Sequence, residues 1–262
     1  MSTDWPSHPA NWPAQAIRDA VAPVLPGFTV EILPEVDSTN SELMRRARAG
    51  RLEPVLLVAQ QQTAGRGRLG RNWLSSAGDS LTFSLGVPLA PADWSGLSLA
   101  VGVSLAESLH PRIQLKWPND LWLSDRKLAG VLIETASFGE GGGNRRYVVI
   151  GVGINIAARE AAGLSIAPAG LQELLPAVGA GEVLLRLAMP LVQAVLAFET
   201  FGFSPFQARF NARDALRDRS VVLSDGTVGT AHGASEGGAL LVHTARGMTT
   251  VTSAEVSVRP AV

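Results

Sequence analysis

The sequence contains no cysteine among its 262 residues. This absence excludes disulfide bonds, metal sites built on thiolates and enzymes that use a thiol as the nucleophile. The first ten residues are polar and contain proline, so they lack the basic start and the apolar run of a signal peptide. The longest apolar runs are expected to be too short, or too interrupted by glycine, to span a bilayer. We therefore expect a soluble cytoplasmic protein with no membrane partner.

Lysine is also scarce. Only residues Lys116 and Lys127 are lysines, and the other 20 of the 22 basic residues are arginines. We attribute the general preference for arginine to base composition. The formal net charge of -1 gives no electrostatic argument for a nucleic-acid or membrane surface. Two lysines that persist in one short segment therefore need a specific explanation.

The pattern of apolar residues predicts an α+β fold. With 46% hydrophobic residues, the chain can bury a sizeable core in one large domain, or in one large and one small domain. Helical and strand patterns mix without strict βαβ alternation up to about Asp218. The predicted helices are 12–25, 42–49, 94–109, 182–201 and 205–214, and the predicted strands are 28–34, 55–60, 80–89, 113–117, 121–123, 128–134 and 147–156. From Ser220 to Val258, short strands at close spacing predict a small barrel-like domain of about 45 residues.

Residues 65–73 read Gly-Arg-Gly-Arg-Leu-Gly-Arg-Asn-Trp and follow a predicted buried strand. They satisfy the G-x-G-x-x-G pattern of dinucleotide sites, but that interpretation needs a helix directly afterwards, and the sequence leads into another strand instead. The alternative is a mobile anion clamp, because arginines fork onto phosphate or carboxylate oxygens and glycines let backbone N–H groups approach the same anion. A solvated basic loop with Trp73 in the core is the third possibility.

The two lysines flank a turn at Pro118-Asn119-Asp120. Proline followed by Asn-Asp is an ordinary turn sequence, and this interpretation stays open. A lysine ammonium is a compact charge with three donors, which suits a site where one cation touches several oxygens of a reacting centre. A carboxylate such as Asp120 is a ligand that Mg²⁺ accepts. Further along, Gly151-Val152-Gly153-Ile154-Asn155 places glycines in an apolar strand, which often marks the close approach of a ligand.

Taken together, several motifs in order resemble one known family, the biotin protein ligases. The resemblance runs from about Glu35 to Asn155 and is looser in the C-terminal half. The family's fold implies a mixed or antiparallel sheet packed with helices, of the class II synthetase-like type, in residues 1–217. It also implies an SH3-like β-barrel in residues 218–262. The motifs are Ser38-Thr39-Asn40, Gln62 with Gly65–Arg71, Lys116–Asp120, Lys127–Gly130 and Gly151–Asn155.

The resemblance implies a two-step reaction. Biotin and ATP form biotinyl-5′-adenylate with release of pyrophosphate, and the biotinyl group then passes to a lysine of a biotin carboxyl carrier protein, a subunit of acetyl-CoA carboxylase or a related enzyme. In the first step a carboxylate attacks a phosphate, so neutralising and aligning two anions is the main task. Mg²⁺ is expected to accompany ATP.

Carried over by position, the resemblance assigns catalytic roles to Lys127, Arg68 and Asp120, with Asp120 also the expected Mg²⁺ ligand. The loop from Gly65 to Arg68 is expected to order over the ligands. The expected biotin-binding residues are Ser38, Thr39, Asn40, Gln62, Gly65, Arg66, Gly67, Arg68, Lys127, Gly130 and Gly151. The expected ATP-binding residues are Arg68, Arg71, Trp73, Asn119, Asp120, Lys127 and Asn155.

Two other functions are kept open. A lipoate or octanoate ligase of the same fold is disfavoured by the arrangement of Gly65–Arg71, and a non-catalytic biotin sensor is disfavoured by the presence of Lys127 and Asp120. Longer family members also carry an N-terminal DNA-binding domain. About 30 residues precede the first predicted strand here, and they hold proline and little basic charge. We expect no DNA binding and no repressor function, and the sequence leaves monomer and homodimer equally open.

Overall fold

The structure, a computed structural model, describes residues 12–137, 145–158, 167–252 and 258–260. Two sheets organise these residues, which confirms the expected α+β class. The helices are α1 (Ala14–Val21), α2 (Thr39–Arg48), α3 (Leu97–Leu109), α4 (Ala180–Phe201) and α5 (Ser204–Asn211). The strands of the large sheet are β1 (Thr29–Val36), β2 (Val55–Gln62), β3 (Ser80–Leu89), β4 (Gln114–Lys116), β5 (Asp120–Leu123), β6 (Arg126–Ser137) and β7 (Arg146–Asn155).

The large sheet has the strand order β1-β2-β3-β7-β6-β5-β4. Only β1 and β2 run parallel, since α2 connects them as a crossover, and every other neighbouring pair in this sheet is antiparallel. The central strand β7 alternates between two apolar layers: Val148 and Ile150 belong to the main core, whereas Tyr147 and Val149 belong to a smaller cluster with α2. The sheet is therefore covered on both faces.

Helices α1, α3 and α4 cover the main-core face. Helix α4 is 22 residues long, and an 18-residue window of it has a mean hydropathy of 1.6, enough in length and composition to cross a membrane. The expectation that every apolar run is too short is therefore wrong for this helix. Ten of its residues are buried, among them Val183, Leu187 and Leu191, and the helix packs against α3, α1 and β3. Its packing is that of a core helix.

On the opposite face, α2 covers only part of the sheet and leaves its centre for the site. Ser38 caps this helix, because its extended backbone lets the hydroxyl oxygen accept a hydrogen bond from the N–H of Ser41 at 3.4 Å. The cap fixes where the helix begins. The next two residues, Thr39 and Asn40, are consequently buried at the helix start, pointing toward the middle of the sheet.

A second, five-stranded antiparallel sheet follows α5, as expected for a small C-terminal β domain of SH3-like type. The segment between α5 and this sheet bonds to Leu115 through the backbone of Arg213 and Ala215. The turn between the second and third strands of the sheet accepts a hydrogen bond at Gly238 O from the indole N–H of Trp117, at 3.1 Å. The domain boundary at 217/218 stays a prediction. The strands are β8 (Ser220–Leu223), β9 (Val228–Ala234), β10 (Leu240–Thr244), β11 (Gly247–Val251) and β12 (Val258–Pro260), in the order β11-β10-β9-β8-β12.

Asp214 lies between α5 and the second sheet and is 8% exposed. Its Oδ1 accepts a hydrogen bond from the N–H of Leu216 at 2.9 Å, whereas Oδ2 has no hydrogen-bond partner among the described residues. Burial raises the pKa of Asp214 to about 6, against an ordinary value of 3.8, with Arg217 opposing and Asp218 adding to the rise. The folded protein therefore holds the proton of this carboxyl group more tightly than the unfolded chain does.

This raised pKa predicts how stability depends on pH. The contribution of Asp214 to the free energy of unfolding is fully present below its unfolded pKa near 3.8. It is lost as the pH rises through the folded pKa of about 6. We expect Asp214→Asn to raise the free energy of unfolding at pH 8 by up to about 3 kcal/mol and to change it little at pH 4. Urea denaturation at the two pH values measures this. Asp19→Asn, at an exposed position of α1, is the control, and an equal gain at both pH values would contradict the assignment.

Candidate active site

Three neighbouring glycines leave a patch without side chains at the centre of the large sheet, on the face that carries α2. In the strand register, Ser84 pairs with Gly151 and Gly151 pairs with Leu132. The adjacent row on the same face runs Thr82, Gly153, Gly130, Asp120 and Lys116 from β3 to β4. Since residues two apart on a strand share a face, Gly151, Gly153 and Gly130 form one patch without side chains. We call this patch the glycine floor.

Two side chains lie directly on the glycine floor. A Cβ atom built on Gly151 would lie 2.2 Å from Oδ1 of Asn40, and one built on Gly153 would lie 2.4 Å from the indole ring of Trp73. Real Cβ atoms do not approach other atoms so closely, so both positions require glycine. Gly130 is less constrained, because a Cβ there would meet the end of the Lys127 side chain at 3.1 Å.

One end of the floor is a buried polar slot. The backbone N–H of Thr39 donates to Oε1 of Gln62 at 2.8 Å, and the hydroxyl of Thr39 lies 3.2 Å from the same oxygen. Ser84, which is fully buried, places its hydroxyl 2.7 Å from both Thr39 Oγ1 and Asn40 Oδ1. The Asn40 amide in turn donates to Leu132 O at 3.2 Å. The slot therefore offers hydroxyl and amide groups already oriented by each other.

The glycine-arginine segment forms a flap over the other end. The N–H of Trp73 donates to Gly65 O at 2.9 Å and that of Gly67 donates to Arg71 O at 2.7 Å, so the segment folds back on itself. A single 3₁₀ turn at Arg68–Gly70 reverses the chain, with Leu69 at φ 55° and Gly70 at φ 69°. No α-helix follows the glycines, since the chain continues into β3, so the dinucleotide-binding interpretation is wrong.

The three arginines of the flap differ in their surroundings. Arg66 forms an ion pair with Glu134 at 2.9 Å, and Arg71 is exposed. Arg68 is half-buried and donates to Oδ1 of Asn119 at 3.3 Å. Burial lowers the pKa of Arg68, whereas the negative field of Asp120 raises it. A cavity of about 320 Å³ lies between the flap residues Arg66–Asn72 and Leu132.

Lys127 extends over the floor beneath the flap. Its ammonium lies 2.7 Å from Oδ1 of Asp120 and 5.7 Å from the ring centroid of Trp73. The buried Asn155 donates its amide to the backbone carbonyl of Lys127 at 3.4 Å and so helps to fix that strand. The other lysine, Lys116, lies with its ammonium 4.8 Å from the ring centroid of Trp122. Both lysines lie on the same face of the sheet. Lys127 extends to Gly130 of the glycine floor, whereas Lys116 lies against Trp122.

The turn residues Asn119 and Asp120 serve both fold and site. Asn119 Nδ2 donates to Val131 O at 2.8 Å, and the N–H of Val131 returns a bond to Asn119 O at 2.9 Å. This leaves Oδ1 of Asn119 facing Arg68. Among the residues that the structure describes, no three His, Asp or Glu side chains cluster as a protein-only metal site would require. A metal ion at Asp120 would need most of its ligands from elsewhere.

The structure brings most of the expected site residues to one place. Thr39, Asn40 and Gln62 surround the slot, and the flap from Gly65 to Arg68 covers the floor with Trp73, Lys127, Asp120 and Asn119. Two expected biotin-binding residues instead contact the protein itself: Ser38 caps α2, and Arg66 pairs with Glu134. Sequence reasoning missed Ser84 and Glu134, and it named Gly153 only as part of the glycine-bearing strand segment Gly151–Asn155. Alternation of Ser80, Thr82 and Ser84 in an apolar strand was the available signal for the first of these.

Comparison with known proteins agrees with this geometry. The model of the biotin/lipoate A/B protein ligase family matches residues 33–155. The bifunctional ligase/repressor BirA of Salmonella typhimurium is 37% identical over 86% of this chain and 72% of its own length. The biotin–[acetyl-CoA-carboxylase] ligase of Paracoccus denitrificans is 34% identical over 86% of this chain and 98% of its own length.

The chain is a biotin protein ligase. The likeness to these ligases extends well beyond residues 33–155, into the part of the chain where the motif resemblance is looser. A solved structure of the biotin protein ligase of Aquifex aeolicus, in complex with biotin and ATP, superimposes with a TM-score of 0.75 at 31% identity. The match covers 88% of this chain and 99% of that one.

For this biotin protein ligase, the geometry of the flap argues against one of the interpretations of residues 65–73. A solvated basic loop with Trp73 in the core accounts for neither the half-buried Arg68 nor the indole ring on Gly153. The flap instead places a cation and an aromatic ring over a floor that only glycine can form. That arrangement is the one expected of an anion clamp.

Proposed function

We propose that this ligase binds biotin in the polar slot, adenylates it over the glycine floor and transfers it to a carrier lysine. The single observation that carries the proposal is Lys127, whose ammonium lies over the floor, beneath the arginine flap and against Asp120. A lone ammonium in that position can touch oxygens of two different anions at once. Biotin and ATP are the ligands of the Aquifex relative and support this assignment.

The slot suits the head group of biotin. Its ureido group has one carbonyl acceptor and two N–H donors, and the slot offers Thr39, Asn40, Gln62 and Ser84 as donors and acceptors that hold one another in place. Preoriented polar groups cost little to reorganise on binding. The rest of the molecule then extends from the slot toward Lys127, past Asn40 and the Trp73 ring, which lie on Gly151 and Gly153.

The adenylation step brings a carboxylate against the α-phosphate of ATP. Repulsion between these anions is the main barrier that the protein can lower, and cations aimed at the shared oxygens do so most effectively where water is excluded. Lys127 supplies one cation from the floor and Arg68 a second from the flap. Trp73, whose Nε1 is buried and has no hydrogen-bond partner among the described residues, offers a ring and a donor to the adenine side.

Asp120 fits a magnesium ion that is shared with the nucleotide. Mg²⁺ in nucleotide sites is usually held by one or two carboxylates plus phosphate oxygens and water, and Asp120 supplies one carboxylate next to Asn119. When bound, the ion neutralises phosphate charge. Asp120 itself pairs with Lys127 at 2.7 Å and so keeps the ammonium extended over the floor. In the transfer step, the same carboxylate can accept a proton from the incoming carrier lysine.

The direct test is a turnover assay with the purified chain, biotin, ATP, Mg²⁺ and a biotin carboxyl carrier domain. We expect biotin on the carrier lysine, and none when that lysine is replaced by arginine. Lipoate in place of biotin tests the alternative ligase, and binding of biotin without any labelled carrier would show a sensor. The names of the Paracoccus and Mycobacterium tuberculosis relatives support a subunit of acetyl-CoA carboxylase as the acceptor.

Arg68→Ala tests the flap as a cover for the intermediate. Arg68 is half-buried and joins the flap to Asn119, so its loss both opens the flap and removes a cation near the adenylate. We expect biotinyl-5′-adenylate to dissociate about tenfold faster or more, while biotin alone binds with a smaller change. Release is measured by separating free from bound adenylate after a single turnover. Arg51→Ala, at an exposed position before β2 and so at the opposite end of that strand from the flap, is the matched comparison, and equal release from both variants would argue against a specific role of Arg68.

A further inference from the structure

Glu134 lies on β6, on the same face as the glycine floor, with 22% of its side chain exposed. Its Oε1 accepts a hydrogen bond from Nη2 of Arg66 at 2.9 Å. Its Oε2 accepts from Nδ2 of Asn40 at 2.9 Å and lies 3.4 Å from Nη1 of Arg66. One carboxylate thus contacts both the flap and the wall of the polar slot.

These contacts join three segments that are far apart in the sequence. Arg66 also donates to the hydroxyl of Ser41 at 3.2 Å, so its guanidinium is held by β6 and by the start of α2 at once. Asn40 continues the connection, because its Oδ1 lies 2.7 Å from Ser84 at the bottom of the slot. An unbroken line of polar contacts therefore runs from the slot, through Asn40 and Glu134, to the flap.

A carboxylate at this place is unfavourable for a site that must hold two anions. Negative charge near the slot weakens the binding of a carboxylate ligand unless a cation neutralises it. The two-pronged contact with Arg66 provides that neutralisation. Arg66 is consequently engaged with the protein itself, and Arg68, Arg71 and Lys127 are the other cations of the flap and floor.

We propose that Glu134 is a positioning residue that latches the flap closed through Arg66 and couples this closure to the polar slot through Asn40. An exposed ion pair alone contributes little to stability or order. The Glu134–Arg66 pair differs because the carboxylate is mostly shielded and is held in place from the slot side by Asn40. The inference rests on the proposed role of the flap as a cover for the site.

The test is limited digestion of the ligand-free chain with trypsin, which cleaves after the flap arginines. Glu134→Gln keeps the size and an oxygen acceptor for Asn40 but removes the charge that holds Arg66. We expect cleavage after Arg68 and Arg71 to be about threefold to tenfold faster than in the wild type, with an unchanged thermal midpoint. Release of biotinyl-5′-adenylate is expected to accelerate in parallel, and biotin KM to rise more than kcat falls.

Two further variants make the result specific. In an Arg66→Gln background, adding Glu134→Gln should give no further acceleration, because the partner is already absent. Glu107→Gln, which breaks the ion pair between α3 and Arg209 of α5 away from the site, should digest like the wild type. If Glu134→Gln does not fold, Glu134→Asp withdraws the carboxylate by one methylene and is expected to accelerate cleavage in the same direction.

Digestion of Glu134→Gln at the wild-type rate would contradict the proposal that Glu134 holds the flap closed. An additive effect of Glu134→Gln in the Arg66→Gln background would contradict it as well. Because the digestion contains no substrate, its outcome does not depend on which anions the site binds. Failure of the proposed function would appear elsewhere, in the absence of carrier labelling by the wild-type chain.

Discussion

Lys127→Ala is expected to lower the rate of adenylate formation by about 10²–10³-fold, or about 3–4 kcal/mol of transition-state stabilisation. The reason is electrostatic: in the proposed binding mode, the ammonium over the glycine floor touches oxygens of both the biotin carboxylate and the α-phosphate, and their repulsion is greatest in the transition state. Biotin affinity should fall much less, because the proposed binding mode holds the head group in the polar slot. Pyrophosphate release measures the rate, and calorimetry with biotin measures the affinity.

Two companion variants distinguish charge from geometry. Lys127→Arg keeps a positive charge but presents a planar fork, so it is expected to recover only part of the activity. Arg126→Ala removes the neighbouring cation, which pairs with Glu173 away from the floor, and is expected to stay near the wild-type rate. Near-normal adenylation by Lys127→Ala would remove this residue from the mechanism. Loss of Lys127 also frees Asp120, so a thermal melt of each variant is needed to show that folding is retained.

The regular elements were predictable because local patterns determine them. Strand β3 has the same bounds as its prediction, Ser80–Leu89, since its alternation is uninterrupted and turns flank it. The long helix α4 begins only two residues before its prediction. Helix α5 ends three residues before its predicted end, because the chain leaves the helical path after Ala212 and forms a bridge from Asp214 to Leu115 instead. That pairing is a tertiary contact, and no local pattern signals it.

The site was predictable only in part, for a similar reason. Residues that stand in motifs, such as Lys127 and Gly65–Arg71, were found because unusual residue types cluster in the sequence. Ser84 and Glu134 stand alone in strands, and their roles depend on the register that places β3, β7 and β6 side by side. Glu134 lies 68 residues from Arg66, and Ser84 lies 44 residues from Asn40. Only the assembled sheet shows that each faces the slot or the flap.

The glycine floor gives the second large prediction, which concerns binding rather than charge. A methyl group on Gly151 would lie 2.2 Å from Oδ1 of Asn40, and Asn40 cannot easily retreat because Ser84, Leu132 and Glu134 all hold it. We expect Gly151→Ala to displace this side chain, weaken biotin binding by at least about tenfold and cost about 1–3 kcal/mol of stability. Calorimetry with biotin and urea denaturation provide the two measurements.

The control for this substitution is Gly237→Ala, at an exposed glycine where an added Cβ meets nothing within 4 Å. It should change neither biotin affinity nor stability by more than a few tenths of a kcal/mol. Gly151→Ala acts at the head-group end of the floor, so ATP binding in the absence of biotin should be affected less than biotin binding. Equal loss of both would mean that the methyl group distorts the whole sheet. Unchanged biotin affinity would mean that biotin lies elsewhere, because a slot whose wall has moved cannot bind the same head group equally well.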